Sequence, residues 1–260
     1  MPRISTRNRV TLSTTGKTYF ASDIHLGIPD YESSLKREKR FVAWLDHIRE
    51  DADRIFLLGD IFDFWFEYKR VVPRGFTRLL GKIAELTDAG LPVHFFTGNH
   101  DLWIFDYLPE EIGITVHKEP LTLEIEGKRF FLSHGDGLGP GDGGYKFLKK
   151  VFTNKTLQWM FARLHPNFAI WLASKFSADS RQSNLSSGFL GEDEWLVRYA
   201  YEILGKEHYD FFIFGHRHIP IDISLKNGSR FIYLGDWITH FTYGVFDGTQ
   251  FSLKIFKPSD

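Results

Sequence analysis

From Lys17 onward the chain alternates apolar runs with polar breaks. Thr18–Ser22 (TYFAS) has the pattern of a buried strand and stops at Asp23. Leu35–Glu50 places Phe41, Trp44, Leu45 and Ile48 at helical spacing and predicts an amphipathic helix. Arg54–Gly59 (RIFLLG) predicts a second strand, ending at Asp60, and Phe76–Ala89 a helix closed by Gly90. Leu91–Gly98 reads as a third strand. Leu121–Ser133 holds Glu126-Gly127-Lys128 between two apolar runs, which predicts a hairpin whose second strand ends at His134. Asp210–Gly215 (DFFIFG) is a strand ending at His216, and Asn227-Gly228 and Asp247-Gly248 are turn dipeptides between further apolar or alternating runs. Residues 1–16, rich in Thr, Ser and Arg, are expected to fray.

The interval 139–208 reads differently. Gly139–Gly144 (GPGDGG) is a loop, followed by predicted helices at Tyr145–Phe152, Thr156–Leu164, Asn167–Phe176 and Asp193–Leu204. Elsewhere the repeated strand, loop and helix predict an α/β fold. The domain reading is a core over 1–138 and 209–260, with 139–208 as a helical lid insertion.

Five of the apolar runs end in a residue that can bind a metal: Asp23, Asp60, Asn99, His134 and His216. Ligands of α/β sheets sit beyond the carboxyl ends of the strands, so these ends suggest one shared site. The surrounding motifs are Asp23-Ile24-His25, Gly59-Asp60, Gly98-Asn99-His100-Asp101, Ser133-His134-Gly135-Asp136 and Gly215-His216-Arg217-His218. All offer oxygen or imidazole nitrogen, a set suited to Mn²⁺, Fe²⁺, Zn²⁺, Co²⁺ or Ni²⁺ rather than to a purely oxygen-ligated ion. The two oxygens of a carboxylate such as Asp60 can bridge two cations. A pair of ions about 3.5–4 Å apart clamps both oxygens of an in-line displacement at phosphorus and activates a water. The glycines before Asp60, Asn99 and His216 permit close backbone approach.

Composition narrows the classes. The 260 residues are 43% hydrophobic and 25% charged, ordinary for a globular chain, but 17% aromatic, so either the core is aromatic or some of that area meets a ligand or membrane. A net charge of −1 counts against a protein that mainly holds nucleic acid. With no cysteine there is no disulfide and no thiolate metal site. Met1–Lys17 lacks the apolar segment of a signal peptide, and no apolar window is long enough for a transmembrane helix. Any membrane contact is expected to be peripheral.

The motif series resembles the calcineurin-like metallophosphoesterase superfamily over about Thr18–Asp247, interrupted by the 139–208 insertion. The resemblance implies a four-layer αββα sandwich with mixed sheets. It implies two divalent transition-metal ions, Mn²⁺ favoured: one on Asp23, His25, Asp60 and His218, the other on Asp60, Asn99, His134 and His216. It further implies that His100 contacts the phosphate or protonates the leaving group, with Asp101 orienting it. Within the superfamily, Ser133–Tyr145 (SHGDGLGPGDGGY), the helical insertion and Ser180–Asn184 are similar to the UDP-2,3-diacylglucosamine hydrolases of lipid A synthesis. That likeness implies hydrolysis of a UDP-linked diacyl sugar to UMP and diacylglucosamine 1-phosphate at the cytoplasmic face of the inner membrane. Asn99, His100, Asp142 and Tyr145 would then meet the sugar-phosphate part, and Arg181, Ser183 and Asn184 the head group. One departure stands out: many of those hydrolases carry Arg where this chain has His100.

Other readings stay open. Asp63 suits an orienting partner of a ligand histidine and a surface role equally, and Asp136 is as ambiguous. His240 approaches the site only if its loop does. The basic and aromatic residues of 145–176 suit an interfacial surface that meets anionic lipid or a plain helix pair with snorkelling lysines. A phosphoesterase of nucleotides or phosphoproteins, a nuclease, and a binding scaffold without metals are the alternatives in function. The oligomeric state is not legible.

Overall fold

The structure, a computed structural model, describes residues 11–12, 16–140, 143–173, 175 and 188–258. Asp142, Arg181, Ser183 and Asn184, and most of the segment expected to fray, lie outside the described residues.

The strands are β1 (Thr11–Leu12), β2 (Lys17–Ala21), β3 (Ala52–Leu57), β4 (Val93–Phe96), β5 (Thr115–His117), β6 (Leu121–Ile125), β7 (Lys128–Ser133), β8 (Phe211–Phe214), β9 (Pro220–Ser224), β10 (Arg230–Leu234), β11 (Thr242–Phe246) and β12 (Phe251–Ile255). The helices are α1 (Tyr31–Ile48), α2 (Thr77–Asp88), α3 (Tyr107–Ile112), α4 (Gly143–Thr153), α5 (Lys155–Phe161), α6 (166–173) and α7 (Trp195–Leu204). The strands form two six-stranded mixed sheets, ordered β12-β11-β2-β3-β4-β5 and β1-β6-β7-β8-β10-β9. In the first, β2 to β5 run parallel. In the second, β7, β8 and β10 run parallel.

Each face of each sheet is covered by apolar packing. Phe41, Trp44, Leu45 and Ile48 of α1 and Leu79 and Ile83 of α2 meet Tyr19, Ile55 and Leu57 on the outer face of the first sheet. Phe20, Phe56 and Phe96 of that sheet meet Phe130, Phe211 and Ile232 of the second. The rings of Phe20, Phe56 and Phe130 stack there with centroids 5.4 and 6.1 Å apart. Leu196, Val197, Ala200 and Ile203 of α7 cover the far face against Phe131, Phe212 and Phe214. Much of the aromatic excess is therefore packed between the sheets. Another part faces outward on α4 to α6, where Phe147, Trp159, Phe168 and Trp171 are each more than half exposed.

Sequence periodicity located most elements and missed three. α3 and β5 have only 6 and 3 residues, too few for a periodic signal, and β1 has 2. α1 begins at Tyr31 rather than Leu35. Tyr31 and Glu32 are exposed, and the start is set by Asp30, whose side chain accepts from the Ser33 amide at 2.8 Å. The β6–β7 hairpin turns through Glu126 and Gly127, both at positive φ (48° and 72°), as a two-residue turn requires.

Candidate metal centre

The carboxyl ends of β2, β3, β4, β7, β8 and β10 converge. Backbone bonds fasten these ends: Asp23 N–H donates to Gly59 O (3.0 Å), His25 N–H to Asp60 O (2.9 Å) and Gly215 N–H to His134 O (3.0 Å). Asp23 spans the two sheets, because its carboxylate accepts the His216 amide at 3.0 and 3.1 Å. Five of the converging residues sit at positive φ: Asp23 (56°), His25 (46°), Asp60 (53°), His216 (69°) and His218 (55°). Such conformations cost a side-chain-bearing residue about 1–2 kcal/mol each. The cost is met by the surrounding packing, and in return the chain reverses directly into the site.

All seven residues expected to bind metal are brought to one place. Around the first position, His25 Nε2 lies 3.2 Å from His218 Nε2, 3.9 Å from Asp23 Oδ1 and 3.7 Å from Asp60 Oδ2. His218 Nε2 is 3.4 Å from Asp23 Oδ1. Around the second, His134 Nε2 is 3.2 Å from both Asp60 Oδ2 and Asn99 Oδ1, and His216 completes a buried group with Asp60 and His134. Ligands about 2.0–2.2 Å from a shared cation sit roughly 3–3.5 Å from one another, so most of these separations fit two adjacent cations. Asp60 Oδ2 belongs to both sets. His216 Nδ1 is buried and has no hydrogen-bond partner among the described residues, which in a buried site is expected of an atom reserved for a ligand. Buried Asp and His clusters of this kind fit a dinuclear metal site.

The charges are strongly coupled. Burial pushes the Asp60 carboxyl up, but the imidazoles of His134 and His100 outweigh it and hold the group well below the ordinary carboxylate range. Burial likewise opposes protonation of His134, yet the Asp60 charge raises it to about 10. His216 goes the other way, lowered to about 4 by burial and by the neighbouring His134.

A second layer fixes these side chains. Asp63, ambiguous in sequence, is buried, with Oδ1 3.3 Å from His25 Nδ1. That leaves the other nitrogen of His25 for the site. Its backbone oxygen lies 3.1 Å from His100 Nδ1. Asp101 corrects an expectation: its carboxylate does not orient His100. It accepts the amides of Gly98 (2.7 Å), Ile61 (2.9 Å) and Phe62 (3.4 Å), tying the β3 and β4 turns together. One donor is local and two come from the turn after β3, and together these backbone amides occupy both carboxylate oxygens. Burial and the Asp60 charge still lift it to about 7. Asp136 accepts from Tyr145 Oη (2.9 Å) and Lys149 Nζ (2.7 Å), joining α4 to the rim. His240 stays partly exposed, 3.3 Å from Asp236.

Sequence reading missed two groups. Asp236 follows β10 as Gly235-Asp236, the pattern of Gly59-Asp60, and places Oδ2 3.6 Å from His218 Nδ1; that repetition was the available signal. Arg217, between the two histidines, pairs with fully buried Glu194 at 3.1 Å, and Glu194 also accepts from Tyr233 Oη at 3.1 Å. No local pattern announces a partner that distant in sequence.

Three glycines are fixed by the site, among them Gly215, where a Cβ would lie 2.6 Å from Asp23 Oδ2. A Cβ on Gly59 (φ 87°) would lie 2.6 Å from His134 Nδ1. A Cβ on Gly98 would overlap the Asp60 carboxylate and lie 2.7 Å from the Asp60 amide nitrogen. Gly98→Ala is therefore expected to displace Asp60 and weaken divalent-metal affinity by about tenfold or more, read by calorimetric titration of Mn²⁺ into metal-free protein. Unchanged affinity would mean the turn relaxes without moving Asp60.

The family model described as calcineurin-like phosphoesterase matches residues 16–220. A Porphyromonas gingivalis protein called UDP-2,3-diacylglucosamine hydrolase is 43% identical over 92% of this chain and 97% of its own length. An Aeromonas hydrophila protein of the same name is 32% identical over 85% and 90%. A solved dimetal phosphatase from Danio rerio aligns with a TM-score of 0.44 at 14% identity, over 92% of this chain and 98% of its own. The family match takes in all seven clustered donors, from Asp23 to His218, and the chain belongs to the calcineurin-like phosphoesterases.

Proposed function

We propose that this protein hydrolyses the pyrophosphate bond of UDP-2,3-diacylglucosamine, giving UMP and 2,3-diacylglucosamine 1-phosphate, a step of lipid A biosynthesis. The observation that carries the reading is the 43% identity with the Porphyromonas gingivalis hydrolase over nearly the whole of both chains. The clustered oxygen and imidazole donors supply the chemistry it needs. Asp23, His25, Asp60 and His218 would hold one ion and Asp60, Asn99, His134 and His216 the other, with Mn²⁺ as the favoured metal. Two such cations supply Lewis acidity to the phosphoryl oxygens and lower the pKa of water. Asp60 holds the two halves of the donor set together. His100, anchored through Nδ1 at the Asp63 carbonyl, directs Nε2 toward the site, 4.0 Å from Asp60 Oδ2. There it would contact the phosphate and pass a proton to the leaving oxygen.

Asn99, His100, Asp142, Tyr145, Arg181, Ser183 and Asn184 are the proposed substrate contacts. We take α4 to α6 as the lid, with α7 part of the core because it packs on the second sheet. The outward aromatics of the lid carry cations: Arg163 lies 4.4 Å over the Trp159 ring and Lys175 4.3 Å over Trp171. Aromatic and basic groups so mixed suit the headgroup region of an anionic membrane. No helix among the described residues is long and apolar enough to cross one. Replacing Trp159 and Trp171 together by Glu is expected to reduce sedimentation with phosphatidylglycerol-containing vesicles by about tenfold or more, from lost apolar burial and added repulsion. Equal sedimentation would remove the membrane role from this face.

The test of function is UMP release from UDP-2,3-diacylglucosamine with added Mn²⁺, run beside bis-p-nitrophenyl phosphate. Fast turnover of the lipid and slow turnover of the diester is the expected result. His100, where many of the lipid hydrolases have Arg, favours one second reading, a two-metal phosphoesterase of another diester or nucleotide. The reverse pair of rates would select it.

A further inference from the structure

β4, β5 and β7 end around a cavity whose wall includes Thr97, His117, Lys118, His134, Gly137 and Lys149. His134 also belongs to the metal centre, so the cavity adjoins the centre on its Asn99–His134 side. His100 stands apart from that wall, packed edge-on against His25 with centroids 4.8 Å apart and anchored on Asp63. His100, the group proposed to meet the leaving phosphate, is therefore not part of the cavity wall.

The wall mixes polar and apolar groups and has flat elements. His117 stacks on Phe96 (centroids 4.8 Å, planes 26° apart) and is steadied by His94, whose Nδ1 lies 3.0 Å from His117 Nε2. Of the two lysines, Lys149 is engaged by Asp136 at 2.7 Å. Lys118 Nζ makes no hydrogen bond or salt bridge among the described residues and lies 5.2 Å from the Phe105 ring centre. Its pKa is lowered by partial burial, with Glu67 opposing. A partly desolvated ammonium with no fixed acceptor is ready to bind a ligand oxygen. The outward aromatic face of α4 to α6 offers a very different, apolar surface. An amphiphilic substrate has two such ends.

We propose that this cavity receives the nucleoside of a nucleoside 5′-monophosphate whose phosphate lies at the metal centre, with Lys118 bonding its base or ribose oxygens and His117 forming part of the flat wall. The choice of uridine rests on the proposed function; the site itself rests on the cavity, its position beside His134, and the flat ring of His117 and the ammonium of Lys118 in its wall.

Calorimetric titration of UMP and of inorganic phosphate into the full-length, Mn²⁺-loaded protein tests it without requiring turnover. UMP is expected to bind about tenfold more tightly than phosphate, because both reach the metals and only UMP fills the cavity. In Lys118→Met, which keeps the apolar stem, and in His117→Ala, that advantage should shrink by about fivefold or more. Using the ratio removes any change in metal affinity common to both ligands. Equal affinity for the two ligands in the wild type, or an advantage within about twofold of wild type in both variants, overturns the pocket. Hydrolysis of the lipid substrate with no UMP advantage would leave the proposed function standing and remove the pocket. A UMP advantage that depends on Lys118, with no hydrolysis of the lipid, would do the reverse.

Discussion

Asp60→Ala is expected to bind neither metal ion and to lose activity by about a thousandfold or more, since several kcal/mol of charge stabilisation go with the ions. Asp60 Oδ2 is shared between the His25 and His134 groups, at 3.7 and 3.2 Å, so one truncation opens both positions. A second loss accompanies it. Asp60 Oδ1 accepts the buried His100 amide at 3.0 Å, and an unsatisfied buried donor costs about 1–3 kcal/mol. Asp60→Asn separates the two effects, because a carboxamide can still accept that amide while the charge is gone. Metal content by plasma mass spectrometry and circular dichroism of both variants decide the matter. Asn that folds like the wild type and is metal-poor supports the bridging role. Two ions bound to Asp60→Ala, with full activity, would refute it.

His100→Ala is expected to keep both metals and lose turnover by about a hundredfold or more, the range of one general acid. The expectation of retained metals has a structural reason: the amide that holds Asp60 Oδ1 belongs to the backbone of residue 100 and survives the substitution. His100 also forms a close group with His25 and Asp63, so the measurement has an informative failure. If His100→Ala loses an ion, the ring is a ligand rather than an acid. If turnover of the lipid is unaffected, the histidine has no part in the step, and the Arg found in many relatives at this position is not functionally replaced.

Much of this protein was legible in one dimension. The apolar runs ending at Asp23, Asp60, Asn99, His134 and His216 located their strands, because burial on both faces of a parallel strand leaves an unbroken apolar string. Glycine marked three positions where the site's own side chains occupy the space of a Cβ, Gly59, Gly98 and Gly215. The same signal stood at Gly235-Asp236 and passed unread, since aspartate after glycine is also ordinary turn chemistry.

What sequence could not supply was partnership. Asp101 stands beside His100 in the chain, yet its bonds go to Gly98, Ile61 and Phe62, while Asp63, much further back, serves both His25 and His100. Glu194 and Arg217 neutralise each other inside the fold across a long stretch of chain. Sequence by itself determined which residue types end the strands, because strand length and burial are local properties written in hydrophobic pattern. Only the tertiary structure decided which carboxylate faces which imidazole, and which strand ends face one another, because left-handed turns and sheet-to-sheet packing set those distances and neither leaves a periodic trace in the chain.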